Sequence, residues 1–150
     1  MKIAVVGCGN IGAKRVASIQ KYKKTKIKFI IGKKKIKKKT DNLGLRISKK
    51  IKAKYITNLR EALKSDINAV ILSTQPNLFL SYAKQILNSK KHLLVEKPLG
   101  LNAIEALKIS NLAKKNKVYL KTGFNLRYDD GIQLAKKLIN KKKNRKNLLY

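Results

Sequence analysis

The chain has 150 residues, 43% of them hydrophobic, and a formal net charge of +31 from 38 Lys and Arg against 7 Asp and Glu. That size supports one sizeable core and not two full domains, and no stretch approaches the roughly 20 apolar residues that a membrane span needs. Cys8 is the only cysteine, which excludes an internal disulfide and fits a reducing, cytoplasmic compartment. The excess charge is almost all lysine, with only five arginines (15, 46, 60, 127 and 145) and 6% aromatic residues. Nucleic-acid readers fork phosphates with arginine and stack bases on rings. Lysine spread over every face therefore predicts nonspecific polyanion binding and no specific nucleic-acid or membrane partner.

The first element is a short apolar strand at residues 3–6, followed at once by Gly7-Cys8-Gly9-Asn10-Ile11-Gly12 and a helical stretch over 11–22. A GxGxxG between a strand and a helix is the phosphate-cradling turn of a dinucleotide-binding βαβ unit. The first glycine allows the tight turn, the second lets the backbone approach a pyrophosphate, and the third lets helix and strand pack closely. The diphosphate then rests on the electropositive helix N-terminus, which makes Gly7, Gly9, Asn10, Ile11 and Gly12 candidate cofactor-binding residues. Cys8, inside this turn, reads as a small packing residue.

A second apolar strand follows at 27–31. NAD-binding units usually carry an acid about 20 residues past the glycines to hold the ribose 2′-hydroxyl, and here that place is Gly32, followed by Lys33. With no carboxylate to repel a 2′-phosphate and a lysine to neutralise one, NADP is favoured over NAD, and Gly32 and Lys33 join the candidate cofactor residues. The run at 33–39, six lysines and Ile36, reads as a solvated loop or a frayed helix start.

Downstream, strands at 55–57, 69–72, 92–95 and 118–122 alternate with helices: a short one after Asn58, then 77–89, 102–116 and 131–142. Phe79, Tyr82, Ala83 and Ile86 fall at i, i+3, i+4 and i+7, one apolar face to lay on a sheet. Asn58 with Glu61 and Asn102 with Glu105 have capping-box spacing. Tyr55, Tyr82 and Tyr119 read as core-facing, while Tyr128 is a candidate to line the site. Short, wholly apolar strands alternating with amphipathic helices predict an α/β fold: one doubly wound parallel sheet of Rossmann type. The expected division is a nucleotide-binding domain over 1–122 and a connecting segment with a helix over 123–150.

Val95-Glu96-Lys97-Pro98 ends the strand at 92–95 with two opposite charges, at the edge where ligands bind in open α/β sheets. An acid and a lysine there are costly unless used or paired. With this segment in hand, the chain resembles the Gfo/Idh/MocA family of oxidoreductases. The resemblance rests on GCGNIG at 7–12, Ser73-Thr74-Gln75-Pro76-Asn77, KHLLVEKPLGLN at 91–102 and Gly123-Phe124-Asn125-Leu126-Arg127-Tyr128, in that order. It implies that Glu96 and Lys97 lie beside the nicotinamide, that Lys97 is the catalytic lysine, and that Pro98 often follows a cis-type bend. It implies further that Thr74, Pro76 and Asn77 line the nicotinamide side, with Asn125 and Arg127 near the reacting groups. The family often has a histidine shortly after the segment at 73–77, where Leu78 and Phe79 stand here. His92, the only histidine, reads as structural, and no metal site is expected.

The chemistry suits these roles. Oxidising a secondary alcohol by hydride transfer to nicotinamide needs the hydroxyl proton removed and a cation near the oxygen, which a partly buried lysine can supply. The competing reading of Glu96 and Lys97 is a structural ion pair at the strand end. The resemblance implies a second α/β domain that carries the substrate pocket, a catalytic histidine and most of the oligomer interface, with residues 148–150 as the start of its first strand. The expectation is thus a cofactor domain without that second domain: a truncated product, half of a split enzyme or a free module. Little turnover by this chain alone is expected, with a sugar-like or cyclitol substrate. A complementing C-terminal chain or a second copy would be the partner. The alternative from another class is a catalytically inactive dinucleotide- or polyanion-binding module.

Overall fold

The computed structural model describes residues 1–33 and 42–143. Among the described residues six strands form one sheet: β1 (Lys2–Val6), β2 (Lys26–Ile31), β3 (Lys54–Ile56), β4 (Ala69–Leu72), β5 (His92–Val95) and β6 (Leu120–Thr122). Their order is β3-β2-β1-β4-β5-β6, and every neighbouring pair is parallel. The helices are α1 (Asn10–Gln20), α2 (Leu43–Lys50), α3 (Leu59–Leu63), α4 (Phe79–Asn88), α5 (Ala103–Lys115) and α6 (Asp130–Lys143).

The strands are apolar at consecutive positions because both faces of the sheet are covered. Alternate side chains feed two cores. On one face Ala4, Val6, Ile31, Val70, Leu72 and Val95 meet α3, α4 and α5 through Leu59, Phe79, Ile86 and Ile109. On the other, Ile3, Val5, Ile30 and Ile71 meet α1 and α2 through Val16 and Ile47. Burying a side chain of this size contributes roughly 1.5–3 kcal/mol, so the central strands anchor the molecule. The second layer is the thinner one: Leu94 of β5 is only half-buried there. Ile132, Leu134, Leu138 and Ile139 of α6 stand at least half exposed and belong to neither core.

The doubly wound parallel sheet is the expected one, with three departures in detail. Helix α2 lies between β2 and β3, where the sequence suggests only a loop or a frayed helix start over 33–39. Its start is set by Asn42, whose Oδ1 accepts from the Leu45 N–H at 3.0 Å, a cap without the acidic partner that marks a capping box in sequence. Most of the lysine run, residues 34–39, lies outside the described residues, as do residues 148–150. Strand β6 begins at Leu120, because Val118 is spent on closing α5, its N–H donating to the Ala113 carbonyl. Tyr119 does not face the core: it is 76% exposed and tilts against the His92 ring, with centroids 5.1 Å apart. Tyr55 and Tyr82 are half-buried and pack against the two cores.

Both capping signals work, with variations. Asn58 Oδ1 accepts from the Arg60 N–H, while Glu61 pairs with Lys54. Asn102 Oδ1 accepts from the Glu105 N–H, and the Glu105 carboxylate accepts from the N–H of Leu101, one residue before the cap.

Candidate dinucleotide cleft

The chain reverses its direction of winding between β1 and β4, and the crevice outside the carboxyl ends of these strands is where ligands bind in this architecture. Three glycines shape its floor. Gly7 sits at φ +80°, a region disfavoured for other residues, and a Cβ there would lie 2.7 Å from the Ser73 carbonyl oxygen. A Cβ on Gly12 would lie 2.2 Å from the Gly7 carbonyl oxygen, so α1 can rest on the turn only without one. A Cβ on Gly9, by contrast, would meet nothing within 4 Å. Gly9 caps α1 with no side-chain hydrogen bond, and the first turn holds no acid. The leading N–H groups of α1 therefore face open space, a concentration of positive partial charge suited to a diphosphate. Asn10 and Ile11 are exposed on this first turn.

Ser73, at the end of β4, holds the turn from below. Its Oγ donates to the Gly7 carbonyl at 2.5 Å, and its N–H donates to the Val6 carbonyl at 2.8 Å. Next to this turn opens a cleft of about 420 Å³, lined by Ile11, Lys14, Arg15, Ser73, Thr74, Pro76, Glu96, Lys97, Gly123 and Asn125. Of the candidate residues it thus brings together Ile11, Thr74, Pro76, Glu96, Lys97 and Asn125. The Lys97–Pro98 peptide bond is cis.

The charges are arranged differently from either expectation. Lys97 is exposed, not partly buried, because the strand has ended and its side chain leaves the protein surface. Nor does it pair with Glu96. That carboxylate accepts from Arg15 Nε at 2.5 Å, with the two side chains 22% and 13% exposed. A second nitrogen of the same guanidinium donates to Asn125 Oδ1 at 3.1 Å. A Cβ on Gly123 would lie 2.7 Å from Glu96 Oε2, so this glycine makes room for the carboxylate.

The remaining candidates lie away from this wall. Gly32 and Lys33 follow β2 on the other side of the turn. A Cβ on Gly32 would strike the Tyr55 hydroxyl at 2.1 Å, so the glycine there accommodates a tyrosine. That hydroxyl accepts from Asn42 Nδ2 at 2.9 Å. Asn77 is exposed in the 3-10 turn Pro76–Leu78. Arg127 sits over the Phe124 ring, 5.9 Å from its centroid, and Tyr128 is 75% exposed; neither lines the cleft. Cys8 is buried, and that burial pushes its thiol pKa up, in keeping with packing over reactivity. Sequence reasoning missed Arg15, Ser73 and Gly123. Arg15 carried a signal in being one of only five arginines, three residues past the last glycine of the turn.

Among the described residues no helix is long and apolar enough to cross a membrane. A family model described as an oxidoreductase family with an NAD-binding Rossmann fold, GFO_IDH_MocA, matches residues 1–124. An uncharacterized oxidoreductase of Streptococcus pneumoniae is 28% identical over 141 residues, which are 93% of this chain and 36% of the relative. Myo-inositol 2-dehydrogenase of Thermotoga maritima is 25% identical over 141 residues, covering 93% of this chain and 40% of the enzyme. Among solved structures, the WlbA dehydrogenase of Chromobacterium violaceum in complex with NADH and UDP-GlcNAcA shares the fold, with a TM-score of 0.83 at 22% identity over 95% of this chain and 40% of that one. The chain therefore spans little more than a third of the length of these curated relatives.

Proposed function

This chain belongs to the Gfo/Idh/MocA oxidoreductase family with its NAD-binding Rossmann fold, and from that premise we propose that it is the cofactor-binding part of an enzyme that oxidises or reduces a CH–OH group of a sugar, cyclitol or related small molecule. The observation that carries the cofactor half of this reading is the uncapped N-terminus of α1, with free space over Gly9, at the switch point of the sheet. The substrate class is supported by the inositol dehydrogenase among the relatives.

In this reading Gly7, Gly9, Asn10, Ile11 and Gly12 hold the diphosphate. Gly32 and Lys33 flank the adenosine ribose, and the absence of a carboxylate there supports NADP over NAD. Thr74, Pro76, Asn77, Glu96, Asn125 and Arg127 serve the nicotinamide half. When bound, the nicotinamide supplies hydride transfer. The chain's own contribution at that end would be a charge: in this reading Lys97 Nζ stabilises negative charge on a substrate oxygen and holds or releases its proton. Glu96 is taken by Arg15, and among the described residues no histidine and no other carboxylate lines the cleft. Lys97 thus stands exposed with no histidine or free carboxylate beside it among the described residues, and we expect little turnover from these 150 residues unless a complementing chain or a second copy closes the site. The proposed division remains 1–122 for the nucleotide domain, with 123–150 as the connection. A reducing, cytoplasmic setting is supported by the lone buried Cys8.

The test is a fluorescence titration with NADPH and then NADH at moderate and elevated salt, alongside Gly9→Asp. Saturable binding that the variant abolishes supports the reading, and tighter binding of NADPH supports the role of Lys33. Salt-sensitive binding with no preference over inorganic polyphosphate would instead make the chain a polyanion binder.

A further inference from the structure

A dinucleotide whose diphosphate lies on α1 must send its adenosine half towards the end of β2, where its ribose is read, and its other half over β4, β5 and β6. That second half-site contains an ion pair joining three distant pieces of chain. Arg15 lies on α1 one turn beyond the glycines, Glu96 follows β5, and Asn125 follows β6. One guanidinium binds both partners, through Nε to Glu96 at 2.5 Å and through a terminal nitrogen to Asn125 at 3.1 Å. The pair is mostly withdrawn from solvent, at 22% and 13% exposure. The choice of partner is informative: Glu96 adjoins Lys97 in sequence, in a chain with 33 lysines, yet it takes one of only five arginines. A planar fork can fix a carboxylate and an amide together, which a lysine's point charge cannot.

We propose that Arg15 is a positioning residue for the nicotinamide half of the cofactor. It fixes the Glu96 carboxylate and the segment at Asn125 in one arrangement against Gly123, and by occupying Glu96 it leaves the Lys97 ammonium at the cleft with no carboxylate partner among the described residues. Because Arg15 rides on the helix that holds the diphosphate, the two halves of the site share one rigid element. This inference rests on the reading of the cleft as a dinucleotide site.

The experiment compares two ligands on the full chain at elevated salt: NADPH, or NADH if that binds more tightly, and ADP, which lacks the nicotinamide riboside. The expected result for Arg15→Met is a loss of about tenfold in dinucleotide affinity, with ADP binding unchanged. Arg15→Lys should restore part of the loss, and adding Glu96→Gln to Arg15→Met should cost nothing further. Retained ADP binding also reports that the variant is folded. Should Arg15→Met fail to fold, Arg15→Lys and Glu96→Gln carry the same comparison. Equal losses for both ligands would make Arg15 merely structural, and unchanged dinucleotide affinity would remove its role altogether; either overturns the proposal while the dinucleotide reading stands. An unmodified chain that binds neither the dinucleotide nor ADP would overturn both.

Discussion

Within one six-residue turn, Gly9 and Gly12 answer to different demands. Gly12 has no side chain because α1 would otherwise be forced off the Gly7 carbonyl, whereas nothing of the protein's own comes near a Cβ on Gly9. Gly12→Ala should therefore destabilise the fold by about 2–3 kcal/mol, as other overpacking substitutions do, while Gly9→Ala should change stability by less than about 0.5 kcal/mol. Urea unfolding of the two variants checks this, and similar losses for both would mean that Gly9 also has a packing duty. The spacing of the motif made these residues legible because each glycine answers a local steric need. Arg15 and Gly123 were not legible: their partner, Glu96, lies 81 residues from Arg15, and only the folded sheet brings them together. Gly32 was legible as a position but not as a cause, since its neighbour is Tyr55 from the adjoining strand.

At the level of elements, three helices end in the same way. After α2, α4 and α5 the chain turns through Lys52, Lys90 and Lys117, each at φ near +55°. Each turn closes with a bond spanning five residues, from the N–H of Ala53, Lys91 or Val118 to the carbonyl of Ser48, Ile86 or Ala113. This is the Schellman arrangement, in which glycine usually takes the left-handed position. A lysine there carries a strain of about 1 kcal/mol, partly offset in a glycine variant by its freer unfolded chain. Each Lys→Gly change at 52, 90 and 117 should thus stabilise by about 0.5 kcal/mol, with the three additive because the turns lie apart. A thermal melt of the triple variant checks the sum; a lower Tm would show that the lysine stems contribute packing that outweighs the strain. The substitution also explains why the end of α5 was read two residues from the start of β6: the glycine that marks such a stop is missing from the sequence. Helix α2 escaped notice for a related reason, its cap being an asparagine with no acid three residues on, next to a monotonous run of lysine.

At the scale of the whole molecule, the net charge of +31 should make acid the greatest threat to stability. Asp66 stands at the amino-terminal edge of the sheet, opposite the cleft, bonded first by the Lys2 ammonium and then by that of Lys28, which hold its carboxyl far below the usual carboxylate range. A depressed folded-state pKa gives stability that is complete above the unfolded value of about 3.9 and is lost as pH falls below it. Asp66→Asn should therefore lower the urea midpoint at neutral pH, with the gap to the unmodified chain closing as the pH drops below about 4; raised salt should narrow it too. A gap independent of pH would assign the effect to something other than charge. The fold class itself was readable, because six apolar runs in alternation with helices admit few arrangements besides a parallel sheet. The uneven coverage of that sheet was not, since it depends on which helices find a face to lie on. The strand order has a further consequence for how the molecule comes into being. β1 is flanked by β2 and by β4, and its second neighbour ends at Leu72. During synthesis from the amino end, the first half-sheet must wait with one side of its most apolar strand unpaired until β4 leaves the ribosome, and that interval is when a nascent chain is most prone to pair with the wrong strand.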